Sequence, residues 1–350
     1  MHVHIDGLND LASISGTSTG DVTEDTQTSA QGTLTVVDPD QGQSHTQSAT
    51  NVASDHGLGT YTVDADGHWT YNVNNALIQH LGANDTAHDT FTVTSLDGST
   101  SQQITITIHG TNDGPAVTGA VTGAATEDGA ASTLDALANA SDVDDNTTLS
   151  VVGIDPLPAG VSYDALAHSF TLDPSNGAFQ HLAQGQQATV TVNYGVSDGI
   201  ATTAASVSWT VTGTNDAPVL SASAGSDHVS EGGSLALSIS ATDPDDNASL
   251  SYTISGVSNG ASLDHGINLG SGVWSLTPGQ LANLHLLAGE DGPLNLNVTV
   301  TDEHGASNSH NIALTVNPVA EPPTLNIDGI NIPVGSSTQP RATPSPKARQ

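Results

Sequence analysis

Short stretches in which apolar and polar residues alternate run along most of the chain. In the first hundred or so residues they cover residues 33–37, 59–63, 68–73, 90–94 and 103–108. Alternation of this kind places the apolar side chains on one face of a β-strand. Gly, Asn and Asp separate the stretches, as at Asp66-Gly67, where tight hairpin turns favour them. The pattern therefore predicts short antiparallel strands, each buried on one face.

Helical signals are confined to one or two turns in three places, at residues 76–81, 180–183 and 280–287. A His-Leu pair lies in each of these turns, and we interpret the pairs as packing; the histidines are His80, His181 and His285. The tryptophans fall on predicted strands, where aromatic side chains usually anchor a core; they are Trp69, Trp209 and Trp274.

The sequence repeats itself with a period of about 103 residues. Residues 106–115 (ITIHGTNDGP) and 209–218 (WTVTGTNDAP) are nearly the same, and their Asn residues lie 103 positions apart. Counterparts of this Asn stand at Asn9 and Asn317. Repetition at a fixed period is typical of tandem arrays. About seven short strands in roughly 100 residues suit an antiparallel β-sandwich, so we predict an all-β chain of tandem sandwiches in an elongated rod.

The repeat period sets the expected domain boundaries. Residues 10–112, 113–215 and 216–318 form three repeats, residues 1–9 the last strand of a preceding repeat, and residues 319–350 the start of a further repeat with a disordered Pro-rich tail. The first ten residues lack the basic and apolar regions of a signal peptide, and no apolar run is long enough for a transmembrane helix.

The charge of the chain excludes several classes of function. The chain has 37 acidic and 3 basic side chains, and its formal net charge is −34. The basic residues, Arg341, Lys347 and Arg349, all lie in the last ten positions. An acidic surface repels nucleic acids and anionic membranes, and a chain without Cys forms no disulfides. The obvious counter-charge for so many carboxylates is a bound cation.

The acids also recur in columns that follow the repeat period. Six of the 37 acidic residues are Glu and the other 31 are Asp. The columns are an early Glu, an Asp-x-Asp, an Asp before the last predicted strand, and the linker Asn-Asp. Calcium takes six to eight oxygen ligands from carboxylates, amides and backbone carbonyls. A single Asp is well explained as a turn former, and general acidity suits high salt, but neither explains the columns, so we favour calcium.

The repeats resemble known bacterial families. The first repeat, with GDVTED at 20–25, GTLTVVDPDQG at 32–42 and TNDGP at 111–115, resembles the VCBS repeat of large RTX-type bacterial adhesins, a class associated with type I secretion. The second repeat is a looser relative. The third, with VSEGGSLALSISATDPDDN at 229–247 and LTVNP at 314–318, resembles bacterial cadherin-like domains. Across residues 1–332 the resemblance implies tandem Ig-like or cadherin-like β-sandwiches.

The resemblance also implies one calcium cluster at each junction between repeats. At the first junction the implied ligands are Asn9, Asp10, Asp38, Asp40 and Asp97. At the second they are Glu24, Asn112, Asp113, Asp142, Asp144 and Asp198. At the third they are Glu127, Asn215, Asp216, Asp243, Asp245 and Asp302, which leaves Glu231 and Asn317 for an incomplete fourth junction.

The chain departs from the cadherin pattern at the acidic pair that precedes the penultimate strand. Asn84-Asp85 and Glu290-Asp291 are substitutes for this pair in the first and third repeats. The second repeat offers only the residues QGQQ at 184–187. We therefore expect one or two ions at each junction rather than three.

These features predict a calcium-stiffened, non-enzymatic spacer or adhesion segment of a bacterial cell-surface or secreted adhesin. Its partners would be calcium, neighbouring repeats of a longer chain, and host-cell, matrix or biofilm ligands bound by other domains; we expect neither nucleic-acid binding nor membrane insertion. The alternatives are a calcium-dependent carbohydrate- or protein-binding module and an accessory region of a secreted hydrolase. No zinc motif, nucleophile elbow, P-loop or dinucleotide fingerprint occurs in the sequence.

Overall fold

The computed structural model describes residue 2, residues 7–320, and the backbone of two further strands at Thr324–Ile327 and Ile330–Pro333. About half of the chain lies in β-strands. The described part contains no α-helix, and its helical structure consists of 3₁₀ turns at Asn75–Leu77 and Pro278–Gln280. The all-β prediction is therefore confirmed. The predicted tail at 336–350 lies outside the described residues.

The chain divides into two compact units. The first comprises residues 1–179 and 187–212, and the second comprises residues 180–186 and 213–350. The division into three repeats at residues 112 and 215 stays a prediction. None of the helical segments in the described residues is long and apolar enough to cross a membrane.

The first eight strands form two sheets that enclose one core. Their bounds are β1 Ser13–Gly16, β2 Thr19–Thr23, β3 Ser29–Val37, β4 Ala49–Ala53, β5 Gly59–Val63, β6 His68–Val73, β7 Thr86–Thr94 and β8 Ser101–His109. The sheet orders are β1-β3-β6-β5-β4 and β2-β8-β7. Trp69, Phe91 and Ile106 are fully buried in the same core cluster, which draws side chains from both sheets.

The remaining strands of the first unit repeat this plan. Their bounds are β9 Ala116–Val117, β10 Val121–Thr126, β11 Ser132–Asp135, β12 Ala140–Ser141, β13 Ser150–Val152, β14 Val161–Asp164, β15 Ser169–Leu172, β16 Gln187–Ser197 and β17 Thr202–Thr212. The sheet orders are β10-β17-β16-β13, β11-β15-β14 and β12-β9. Phe170 and Trp209, which lie on different sheets, are fully buried.

The second unit contains a third pair of sheets. Its strands are β18 Val219–Ala224, β19 His228–Ser230, β20 Ser234–Thr242, β21 Ser251–Ser255, β22 Ser262–Leu263, β23 Ile267–Gly270, β24 Val273–Leu276, β25 His285–Leu287, β26 Gly292–Thr301 and β27 Ser307–Asn317. The sheet orders are β18-β20-β25-β22 and β19-β27-β26-β21-β24-β23. Strands β28 (Thr324–Ile327) and β29 (Ile330–Pro333) pair with each other, where the sequence predicts the opening of a further repeat.

Most strands pair antiparallel, but one early strand in each sandwich pairs parallel with the last strand. These parallel pairs are β2 with β8, β10 with β17, and β19 with β27. In the first sandwich the chain changes sheets between β1 and β2 at Gly16, whose φ is +127°. A Cβ at Gly16 would lie 2.4 Å from the Thr33 carbonyl oxygen, so only Gly suits the crossing. Alternation in the sequence cannot reveal this pairing, because it fixes the buried face and not the partner strand.

The predicted core anchors and helical turns have mixed outcomes. Trp69 and Trp209 are fully buried, whereas Trp274 is half-buried and packs against the core of the second unit. The His-Leu prediction is wrong about the histidines, because His80 and His181 are exposed while their Leu neighbours are buried. His285 lies on β25 and not in a helical turn.

A carboxylate occupies the core of the first sandwich. Asp89 on β7 is fully buried. It accepts hydrogen bonds from the Ser54 hydroxyl, the Tyr71 hydroxyl (2.8 Å), and the backbone N–H groups of His56 (3.1 Å) and Thr90 (2.8 Å). Burial alone would raise the pKa of Asp89, but these donors hold it below its ordinary value. The charge is therefore kept by these hydrogen bonds, and the His56 ring lies 3.4 Å from Oδ1 of Asp89.

Candidate functional site

Three carboxylate clusters recur along the chain with the same construction. In each, the side-chain amide of a linker Asn donates to an Asp that follows a long strand: Asn9 to Asp97 (2.8 Å), Asn112 to Asp198 (2.9 Å) and Asn215 to Asp302 (2.8 Å). We call these the N-terminal, middle and C-terminal clusters. The first two lie in the first unit and the third in the second unit.

The Asp after each linker Asn is tied to the Asp-x-Asp loop. Its backbone N–H donates to the second Asp of that loop, from Asp10 to Asp40 (2.9 Å), from Asp113 to Asp144 (3.0 Å) and from Asp216 to Asp245 (3.1 Å). That second Asp in turn donates its own N–H to the first, at 2.7 Å to Asp38, 3.0 Å to Asp142 and 3.0 Å to Asp243. The structure thus brings together the linker, loop and last-strand columns of the sequence.

These hydrogen bonds engage one oxygen of a carboxylate and leave the other buried. In the described residues, the buried oxygens with no hydrogen-bond partner include Oδ2 of Asp38, Oδ2 of Asp113, Oδ2 of Asp142, Oδ1 of Asp144, Oδ2 of Asp243 and Oδ1 of Asp245. Buried polar atoms in folded proteins nearly always have a partner. Because every one of these oxygens belongs to a cluster, each cluster presents acceptor oxygens that a cation would satisfy.

The early Glu residues are placed differently from one another. Glu24 belongs to the middle cluster: it is fully buried, and its Oε2 accepts from the backbone N–H of Thr111 at 3.0 Å. Its Oε1 accepts from the side-chain amide of Gln79 at 2.8 Å. Glu127 is buried in the first unit, where its backbone N–H donates to Thr212. Glu231 lies in the second unit.

The Glu231 carboxylate repeats the contact that Glu24 makes. Its Oε2 accepts from the backbone N–H of Val319 at 3.2 Å, two residues after Asn317, which ends strand β27 and is not a linker residue like Asn112. The structure places the two predicted residues of the incomplete fourth junction on adjoining segments, because the Glu231 backbone N–H also donates to the Asn317 carbonyl oxygen at 2.9 Å.

Ionisation of several carboxyl groups is disfavoured in the middle and C-terminal clusters. Burial, followed by repulsion from neighbouring carboxylates, raises the pKa of Asp113. Burial raises the pKa of Glu24, Asp144 and Asp245 as well, and repulsion from nearby acids adds to the effect. Four carboxyls whose charged forms are disfavoured in a chain with no Lys or Arg before residue 341 are suited to a positive ligand.

The Asp residues held by linker Asn side chains behave in the opposite way. Burial alone would raise the pKa of Asp198 and Asp302, but the Asn amide and backbone N–H donors bring both below the ordinary value. Hydrogen bonds from Ser95, Ser99 and Asn9 lower the pKa of Asp97 in the same way. These carboxylates therefore keep their charge to lower pH than an ordinary Asp does.

Lowering the pH from 7 to 5 should stabilise the chain when calcium has been removed. The raised pKa values of Glu24, Asp113, Asp144 and Asp245 mean that the folded chain binds more protons than the unfolded chain, so stability falls as pH rises. The groups with lowered pKa values act against this only below about pH 5. Thermal unfolding of the calcium-free chain at the two pH values measures the effect, and a lower melting temperature at pH 5 would contradict it.

Two docking contacts near the clusters escaped the sequence analysis. The His80 carbonyl oxygen accepts from the backbone N–H of Asp145 (2.8 Å), and the His181 carbonyl oxygen accepts from that of Asp246 (2.9 Å). The residue types at these positions gave no signal, because backbone atoms make the bonds. The recurrence of the His-Leu pair at nearly the repeat period was the one available hint.

The linker glycines pack directly on these turns. A Cβ at Gly110 would lie 2.2 Å from the Leu81 carbonyl oxygen, and one at Gly213 would lie 2.2 Å from that of Leu182. Both contacts are far closer than a Cβ tolerates, and both involve backbone atoms that cannot swing aside. The Gly of the Gly-Thr-Asn-Asp linker therefore lets the linker approach the turn closely.

Replacing Gly110 by Ala should lower the free energy of unfolding by about 1–3 kcal/mol, the usual cost of forcing an extra carbon into a packed site. The matched control is Gly177→Ala, where nothing lies within 4 Å of the added carbon. Urea unfolding followed by Trp fluorescence measures both variants. Equal stability of the two variants would show that the linker does not need its close approach.

No described group of three or more His, Asp or Glu side chains already converges on a metal position. This agrees with the hydrogen bonds above, since backbone N–H groups hold one oxygen of several carboxylates. The donor atoms that remain are carboxylate, amide and backbone oxygens, which suit calcium and not zinc or copper.

Two family descriptions match parts of the chain. Residues 9–110 match the bacterial cadherin-like domain family, and residues 215–315 match the bacterial Ig domain family. The VCBS assignment of the first repeat stays a prediction. No curated protein matches the sequence.

Solved structures of similar fold include several cadherin fragments. Protocadherin gamma B7 extracellular cadherin domains 1–4 are 18% identical over 85% of this chain and 74% of that chain, with a TM-score of 0.45. Mouse cadherin-23 EC22-24 is 16% identical over 89% of this chain and 100% of that chain, with a TM-score of 0.46. Human CDH23 EC21-23 is 16% identical over 85% and 96%, with a TM-score of 0.47. The two family matches support the prediction of tandem cadherin-like and Ig-like repeats, of a kind that is typically extracellular in bacteria.

Proposed function

We propose that the three clusters bind calcium and that the chain is a calcium-stiffened spacer in a bacterial cell-surface or secreted adhesin. The observation that carries the proposal is a set of buried carboxylate oxygens without hydrogen-bond partners. One position, Oδ2 of the first Asp in the Asp-x-Asp loop, recurs in all three clusters, at Asp38, Asp142 and Asp243. An Asp that only forms a turn would not leave such an oxygen buried, because its side chain hydrogen-bonds to the neighbouring backbone.

The donor set of each cluster fits calcium. The residues that would hold the ion in the middle cluster are Glu24, Asn112, Asp113, Asp142, Asp144 and Asp198. In the N-terminal cluster they are Asn9, Asp10, Asp38, Asp40 and Asp97, and in the C-terminal cluster Asn215, Asp216, Asp243, Asp245 and Asp302. When bound, calcium would supply positive charge to oxygens that otherwise repel one another.

The chain's own residues would convert ion binding into order at the linkers. Asn112 and Asp113 are fastened to Asp198 and Asp144, so an ion held by these carboxylates also holds the linker. Binding that requires the folded arrangement adds directly to folding stability. Without the ion, the like charges of the cluster would oppose the same arrangement. The linkers would therefore be rigid when calcium is bound and flexible when it is absent.

The wider setting follows from the family matches. Cadherin-like and Ig-like repeats are typically structural and adhesive modules without enzymatic activity, which supports a spacer over a hydrolase accessory region. Adhesion to host cells, matrix or biofilm components would belong to other domains of a longer protein.

Small-angle scattering of the full chain in calcium and in chelator tests the proposal. At physiological ionic strength, calcium should change the distribution of interatomic distances toward a single, better defined maximum dimension. Magnesium at the same concentration is the control, because it demands a smaller octahedral site and keeps its waters. Identical scattering curves in calcium, magnesium and chelator would contradict a calcium-stiffened spacer.

A further inference from the structure

The middle and C-terminal clusters share their linker, loop and last-strand ligands but differ in the side chains around them. Asp85 and Gln186 occupy equivalent places in the turn that follows His80 and His181, respectively. The Asp85 backbone N–H donates to the Gly82 carbonyl (2.9 Å), its carbonyl accepts from Gly110 (3.0 Å), and its Oδ2 accepts from the Gly82 N–H (3.2 Å).

Gln186 makes the same three bonds in its own turn. Its backbone N–H donates to the Ala183 carbonyl (2.8 Å), its carbonyl accepts from Gly213 (2.8 Å), and its Oε1 accepts from the Ala183 N–H (3.2 Å). Two different side chains thus fill one structural position, one charged and one neutral. The local backbone does not decide between them, because both satisfy it equally.

Each of these side chains faces the acidic loop of its own cluster. Asp85 and Asp144 flank the same glycine, because a Cβ placed on Gly82 would lie 3.6 Å from Oδ2 of Asp85 and 3.8 Å from Cβ of Asp144. The Gln186 amide instead donates to Oδ2 of Asp246, the residue after the Asp-x-Asp, at 3.4 Å. The middle cluster therefore gains a negative charge at the place where the C-terminal cluster gains a hydrogen-bond donor.

One carboxylate of the C-terminal cluster has no counterpart in the middle cluster. Glu303 follows Asp302, whereas Gly199 follows Asp198. The Glu303 carboxylate is already engaged, because it accepts from the backbone N–H of Ser249 at 2.6 Å and lies 4.0 Å from the His304 ring. It is thus held by a shorter hydrogen bond than the Asp85 carboxylate, whose Oδ2 accepts from the Gly82 N–H at 3.2 Å.

We propose that the middle cluster binds calcium more tightly than the C-terminal cluster, and that Asp85 and Gln186 set the difference. The inference rests on the proposed function and adds an order of filling to it. The number of charged ligands and the rigidity of a site tune calcium affinity over several decades, so one added carboxylate is expected to give about a tenfold difference. As calcium falls, the linker containing Asn215 and Asp216 loses its ion first.

Calorimetric titration of full-length chains with calcium chloride tests the order. Asp38→Asn combined with Asp245→Asn leaves the middle cluster intact, and Asp38→Asn combined with Asp144→Asn leaves the C-terminal cluster intact. In these backgrounds, the middle cluster should bind about ten times more tightly. Adding Asp85→Asn should weaken it about tenfold, and adding Gln186→Glu should tighten the C-terminal cluster by a similar factor.

Asp66→Asn is the control for a change of charge, since the Asp66 side chain is 74% exposed and belongs to no cluster. Equal affinities in the two backgrounds, with neither exchange changing them, would overturn the inference and leave the calcium sites standing. A larger effect from Glu303→Gln than from Gln186→Glu would overturn the assignment to Gln186. No calcium binding in the parent chain would instead overturn the proposed function. Far-ultraviolet circular dichroism checks that each variant retains its β-structure.

Discussion

Replacing Asp144 by Asn should lower the stability of the chain in calcium and leave it unchanged or higher in chelator. The substituted amide keeps an oxygen for the backbone N–H of Asp113, so the hydrogen bond at 3.0 Å survives. It removes a charge that the ion needs and that repels Asp142 and Asp198. At a calcium concentration one hundred times the dissociation constant, the loss of one site costs about 2.7 kcal/mol.

Thermal unfolding in calcium and in chelator, each for parent and variant, gives the four values that this prediction requires. Asp66→Asn, an exposed change of the same chemistry, should leave all of them within about 0.5 kcal/mol. A variant that is equally destabilised with and without calcium would mean that Asp144 serves the fold and not an ion.

Replacing Asp89 by Ala should destabilise the first sandwich by about 3–5 kcal/mol, since each buried donor left unsatisfied costs about 1–3 kcal/mol. The buried Tyr71 hydroxyl would lose its acceptor, and the Ser54 hydroxyl would keep only the Gly59 carbonyl oxygen at 2.9 Å. In the next sandwich, Val190 pairs with Trp209 at the position where Asp89 pairs with Ile106. The carboxylate is therefore a feature of the first sandwich and not of the shared repeat plan.

The loss caused by Asp89→Ala should be the same in calcium and in chelator, because Asp89 belongs to none of the three clusters. Urea unfolding under both conditions measures it. Asp89→Asn, which restores acceptor capacity, should recover part of the stability. A loss that appears only in calcium would place Asp89 in the ion-binding machinery and would contradict the division between core and cluster carboxylates.

Much of the fold could be predicted, because the alternation of apolar and polar residues indicates β-strands directly. Residues 59–63 and 68–73 were predicted and found as strands with the same bounds. The turn at 280–287 was mispredicted in part, since residues 285–287 pair with β20 and β22 as strand β25. The segment is too short for periodicity to separate a strand from a turn.

The parts of the candidate site that side chains form could be predicted from the sequence. The contacts that backbone atoms make could not. The period of the Asn-Asp linkers and Asp-x-Asp loops indicated the residues that the structure brings together, such as Asn112 with Asp198. The contact between the His80 carbonyl and Asp145 left no such trace. Neither did the equivalence of Asp85 and Gln186, because their side chains differ and only their backbone bonds match.

The absence of Lys and Arg before residue 341 now has a structural counterpart. Several buried cluster oxygens, such as Oδ2 of Asp142 and Oδ1 of Asp144, have no hydrogen-bond partner among the described residues, and no Lys or Arg there could supply one. Asp fits these loops better than Glu, because its short side chain reaches the backbone N–H of the residue two positions on, as Asp142 does with Asp144. The skew toward Asp thus follows from the loop geometry.

Equilibrium dialysis of the full chain against calcium, followed by elemental analysis, tests the central claim most directly. At physiological ionic strength and pH 7, the account predicts saturable binding of at least one ion for each of the three clusters. Asp38→Asn, Asp144→Asn and Asp245→Asn together should abolish that binding. Calcium retained by the triple variant, or none retained by the parent chain, would contradict the assignment of these clusters as calcium sites.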